Sequence, residues 1–150
     1  MAEVQTVYND FPANGFAGMI ANGEDGNRIS RTAESAMAFG VPVYRGSGDH
    51  GCTDVVGTAA TFLGISIAHE ALQPLAGETA DNYQLYGNVA ILTRGVIWVT
   101  AGKAVTDGAQ AYADATTGAI VDTATVNILL TGWVFDQTAA SGTLVRLARR

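Results

Sequence analysis

The sequence has one cysteine, Cys52, which excludes an intrachain disulfide and any zinc site built from several cysteines. It has one lysine, Lys103, and its basic residues gather only at the end of the chain, as Arg146, Arg149 and Arg150. A nucleic-acid binder needs clustered Lys and Arg to displace counterions from phosphates, so a chain of net charge −6 reads as no nucleic-acid partner. Long apolar runs are missing too. Residues 55–68 carry no charge, but they fall short of the roughly 20 residues of a membrane helix and contain Gly57 and Gly64, so no membrane span is expected. Residues 1–5 show no basic stretch leading into an apolar one, which predicts no signal peptide and synthesis in the cytoplasm. Charged residues make up only 15% against 48% apolar, too apolar for a disordered chain and enough at 150 residues for one domain with its own core.

What is present is glycine, alanine, valine and threonine. Eighteen glycines against three prolines suggest many tight turns between short strands. No stretch keeps a 3.6-residue period for three turns, and residues 55–61 could hold one helical turn at most. Strand signals begin at Met37, with residues 37–44 and 62–68 β-prone and Pro42 marking an edge or a strand start. Residues 45–54 read as a glycine-rich loop and 72–81 as another. The second half is clearer: residues 88–93, 95–100, 109–113, 118–121, 129–135 and 143–147 are apolar or alternating runs, most of them bounded by turn residues. That spacing predicts an all-β sandwich or barrel.

Residues 1–27 follow neither period. Phe11, Phe16, Met19 and Ile20 are too apolar for a free tail and cannot bury themselves locally, so residues 1–27 are expected to form an arm lying on the chain's own body or on a neighbour, ahead of a domain at 28–150.

Site chemistry is sparse. Asp49, His50, Cys52 and Asp54 crowd together, but a tetrahedral zinc site needs rigidly held ligands, and His69 is distant in sequence; a polar loop with an incidental thiol is expected. A nucleophilic Cys52 with His50 or His69 would also need an orienting partner and an oxyanion donor. No phosphate loop and no EF-hand spacing occur, so the reading is a non-enzyme without cofactor or metal. Trp98 and Trp133 sit in strand patterns, where aromatics serve packing more often than sugar stacking.

Residues 81–100, DNYQLYGNVAILTRGVIWVT, resemble the middle of the tailed-phage structural cement (head decoration) proteins: a Tyr-rich segment, an apolar strand, a T-x-G turn and a W-V strand. Residues 105–112 and 116–120 continue the likeness. Phe16 to Ala21, Phe39 to Val43 and Phe62 to Ile65 stand upstream in the expected order, and Gly132-Trp133 and Leu144 to Leu147 close it. Residues 49–54 have no counterpart. The resemblance implies a jelly-roll-like antiparallel β-sandwich, without an active site, that binds the outer face of the virion capsid over joints between major capsid protein subunits, as a homodimer or homotrimer. On that reading the contact residues to capsid or sister subunit are Phe11, Phe16, Met19, Ile20, Arg146, Arg149 and Arg150, and loss of residues 1–20 weakens capsid binding while the β-domain stays folded. The competing expectation is a soluble β-sandwich module that binds carbohydrate or another ligand through Trp98 or Trp133.

Overall fold

The computed structural model describes residues 15–69 and 81–150, and these form strands and turns with no helix among them. In chain order the strands are β1 (Asn27–Ala33), β2 (Met37–Ala38), β3 (Pro42–Arg45), β4 (Gly51–Thr53), β5 (Phe62–Ser66), β6 (Asn82–Tyr83), β7 (Asn88–Thr100), β8 (Gln110–Ala113), β9 (Ile120–Val121), β10 (Ile128–Phe135) and β11 (Leu144–Arg149). Nine of them make one sheet in the order β1-β4-β3-β5-β7-β11-β10-β8-β9, and β2 pairs with β6 apart from it. Because β1 also pairs with β7, the first five strands of that order close into a ring. The other four continue from the far half of β7 as an antiparallel sheet, which folds back until β10 touches β5.

β7 carries both halves. Its first part pairs with β1 and β5, its second part, Gly95 to Thr100, with β11. The two parts need opposite alternation, since Val89 and Ile91 point into the ring whereas Ile97 and Val99 point into the second core. A bulge makes the switch: Leu92 lies opposite Arg28 but Arg94 opposite Asn27, so Thr93 is one residue extra. Asn27 fastens it, its Nδ2 donating to Thr93 Oγ1 at 2.7 Å while that hydroxyl donates back to the Asn27 carbonyl at 3.1 Å. Gly95 follows with φ +128°, a backbone that side-chain-bearing residues rarely adopt.

The ring holds Ala33, Met37, Val43, Cys52, Tyr83, Val89 and Ile91. The larger core, between the ring and the folded-back sheet, includes Ile65, Leu92, Ile97, Leu130, Trp133, Phe135 and Leu147. Burying each large aliphatic side chain stabilises by about 1.5–3 kcal/mol, far above what a surface ion pair adds, so these two cores hold the fold.

Three sequence expectations change. β1 begins at Asn27, ten residues before the expected first strand, because NRISRTA is mostly polar and buries only alternate positions weakly. Residues 45–54 are not wholly loop: β4 lies within them, parallel to β1 and antiparallel to β3, so one pair of the sheet is parallel. Residues 88–93 and 95–100 are one continuous strand of 13 residues, with the bulge where a turn was expected.

Candidate functional site

The N-terminal segment is fastened to β7. Gly18 N–H donates to the Trp98 carbonyl at 2.8 Å, Trp98 N–H to Met19 O at 2.9 Å, and Ala21 N–H to Val96 O at 2.9 Å. Ile20 thereby bridges Ile97 as a short added strand, partly buried against the larger core, and Gly15 lies against the Trp98 indole. Of the apolar contact residues expected here, Met19 and Ile20 are half-buried on the protein's own body and Phe16 is 53% exposed. Phe11 lies outside the described residues. Phe16 borders a cavity of about 500 Å³ shared with Ala17, Ala38, Phe39, Ala68, His69 and Asp81.

The C-terminal arginines are not a frayed tail. Arg146 and Arg149 belong to β11, and Arg150 stands just past its end. Arg150 makes a two-pronged pair with Glu24, at 2.9 and 3.1 Å, and a second with Asp136 at 3.2 and 3.3 Å. The guanidinium holds the Glu24 carboxyl below its ordinary value, and the two acids raise the Arg150 value in turn. Arg149 Nη1 donates to the Thr93 carbonyl at 3.1 Å, and Arg146 reaches the Asp136 carbonyl at 3.3 Å. With Asn27, Thr93 and Arg94, Arg149 and Arg150 line an open polar groove over the β7 bulge. The arginine cluster read from the sequence is thus a seam that ties residue 24, β7 and β11 together, with guanidinium surface left to solvent.

The residues 49–54 that had no counterpart hold strand β4, and the turn just before them has a structural task. Glu34 is wrapped by the turn before β4: its Oε2 accepts Ser47 N–H at 2.8 Å and the Ser47 hydroxyl at 3.0 Å, and its Oε1 accepts Gly48 N–H at 2.8 Å. Those bonds, Gly48 first, lower the Glu34 carboxyl from its ordinary value. No local motif marks this partner, since Glu34 precedes the turn by 13 residues. Cys52 is fully buried in the ring while His50 is exposed, and burial pushes the thiol up to about 11. A thiol so protonated and enclosed is a poor nucleophile. Among the described residues no three of His, Cys, Asp and Glu gather as metal ligands.

Trp133 is fully buried and Trp98 is 8% exposed, so neither indole offers a face to a sugar ring. That removes the stacking platform on which the ligand-binding expectation rested.

A protein-family model described as "Structural cement protein (E217 gp24/Pam3 gp6)" matches residues 4–150. Among solved structures, a chain of "The capsid of Myoviridae Phage XM1" superposes with a TM-score of 0.70 at 16% identity, covering 99% of this chain and 97% of that one. A chain of a structure described as head fiber gp8.5 N base in bacteriophage phi29 aligns at TM-score 0.47 and 16% identity, over 84% of this chain and 95% of that one. No curated protein matches the sequence.

Proposed function

Because the chain belongs to the phage structural cement protein family, and so to a family of virion structural proteins rather than of enzymes, we propose that it binds the outer surface of a tailed-phage capsid and stabilises the contacts between major capsid protein subunits. The match across residues 4–150 carries this reading. The fold shared with a chain from a phage capsid structure agrees with it. Many moderate contacts per copy, repeated over a lattice, strengthen a shell without any single tight site. The jelly-roll-like sandwich belongs to the same reading, supported by the way β10 folds back over β5 to enclose the larger core. So do synthesis in the host cytoplasm and assembly as a homodimer or homotrimer. Residues 1–27, with Phe16 as the exposed apolar group, and the arginine seam of Arg146, Arg149 and Arg150 are its first contact candidates.

The test is reconstitution. Purified protein is added to cognate expanded heads that lack it, and co-sedimentation and resistance of the heads to heat or chaotrope are measured. Saturable binding with a raised disruption midpoint is expected. Heads that stay bare and no more resistant would overturn the reading.

A further inference from the structure

At one end of the molecule, turns and strand ends from distant parts of the chain are joined edge to edge. Tyr86 N–H donates to the Ala33 carbonyl at 2.8 Å, and Glu34 N–H to the Cys52 carbonyl at 2.8 Å. Ser35 Oγ donates to Asp54 Oδ1 at 3.1 Å, and Val55 N–H to Thr53 Oγ1 at 3.2 Å. Asp54, Val55 and Val56 then share a groove with Ala115, Thr116 and Thr117. Ala115 N–H donates to Asn127 Oδ1 at 3.3 Å, and the Asn127 side chain closes its own loop on the Thr123 carbonyl at 2.8 Å. The connected row therefore runs from Leu85 and Tyr86, past Val55, to Val126.

With Phe16, those four are the large apolar side chains more than half exposed among the described residues. Val126 is 84% exposed, Tyr86 79%, Val55 67% and Leu85 51%, whereas the large apolar side chains of the strands are mostly covered. Two of them also sit on left-handed backbone, Tyr86 at φ +64° and Val126 at φ +56°. For a β-branched valine that conformation is a true outlier, and an exposed loop would relieve it with glycine or asparagine at no loss to the fold. Nothing within the described chain covers these groups or repays the strain.

We infer that this end, presenting Leu85, Tyr86, Val55 and Val126, is the face that docks on the shell, against a major capsid subunit surface with apolar recesses bordered by Lys or Arg. The inference rests on the cement reading and places this end, ahead of residues 1–27 and the arginine seam, as the surface that engages the shell. Charge selects the occupant. Residues 33–35, 53–56, 85–87 and 114–127 contribute Glu34, Asp54, Asp114 and Asp122 but no Lys or Arg; Arg31 and Arg45 stand on the strands behind them, near Cys52, and Lys103 acts on Asp114 from outside. A second copy meeting this face about a two-fold axis would set these carboxylates against their own images, which like-charge repulsion disfavours. A basic-rimmed partner meets them with opposite sign.

Two double variants test it on cognate heads lacking the protein: Val55→Ser with Val126→Asn, and Leu85→Ser with Tyr86→Asn. Asparagine tolerates left-handed backbone, so both should melt at or above the wild-type temperature. Each is expected to decorate heads at least tenfold more weakly, and wild-type binding should weaken as salt rises. Normal decoration by wild-type protein beside unchanged affinity of both variants would overturn the docking face and leave the cement reading standing. Heads that wild-type protein does not decorate would overturn both. A wild-type oligomer that the same substitutions dissociate in sedimentation equilibrium would overturn the capsid as occupant, since the face would then pair with itself.

Discussion

Gln110 fills with one amide a gap that its neighbours leave in the backbone. Where β8 meets β10, Leu129 lies opposite Tyr112 and Val134 opposite Gln110, so four residues of β10 span one of β8. The loose carbonyls of Leu130 and Trp133 accept from Gln110 Nε2 at 3.1 and 2.7 Å. Gln110→Leu leaves both without that donor in a buried setting, and a loss of about 1–3 kcal/mol is expected by urea unfolding, with the strand order kept. Glu34 governs a pH response. Its folded carboxyl lies below the ordinary 4.5, so its contribution is fully present above that value and is lost as pH falls through the folded one. An NMR titration from pH 6 to pH 3 should show the Ser47 and Gly48 amides released together, and Glu34→Ala should abolish that step. A titration that leaves both amides unmoved would show that the carboxylate does not hold the turn. Neither role was legible in the sequence, because both depend on a partner that only folding brings within 3 Å or so.

At the scale of elements, the N-terminal segment changes most. Of its apolar residues, Met19 and Ile20 lie in residues 18–21, which pair with β7 of the same chain and extend the sheet, while Gly15 lies against the Trp98 indole. The β-domain is still expected to stay folded without residues 1–20, but at a lower melting temperature. Deleting residues 1–20 should lower the melting temperature by several degrees more than deleting residues 1–14 and raise the quenching of Trp98 fluorescence by acrylamide, since two of the three backbone hydrogen bonds to β7, the Ile20 contact and the Gly15 contact on the indole go with it. Equal melting of the two truncations would contradict the pairing. The strands themselves were legible where apolar residues alternate or run together, as in β7, β10 and β11. They were illegible where burial is shallow, as in β1, or where three residues suffice, as in β4. The pause at Thr93, Arg94 and Gly95 reads as a turn and is a bulge, because local composition cannot tell a chain that reverses from one that only changes its alternation.

For the whole molecule, β7 joins the ring to the folded-back sheet, so neither core can open without disturbing the strand that serves both. A single unfolding transition is expected by heat and by urea. The slowest-exchanging amides should lie in residues 89–99, at a free energy equal to that of global unfolding. Two transitions, or amides of the second sheet that exchange at a lower free energy than those of the ring, would show the halves to be independent.

The sequence by itself determined the all-β class and the family. Turn spacing, strand composition and the ordered motifs of residues 81–120 are local signals, written in neighbouring residues. Only the tertiary structure decided which surface is free. It buried both tryptophans and Cys52, tied Arg150 into two ion pairs, laid Met19 and Ile20 on β7, and left Leu85, Tyr86, Val55 and Val126 uncovered. The reason is physical: exposure belongs to the packed whole, and turns some 30 to 70 residues apart share a face only after the sheet has placed them there.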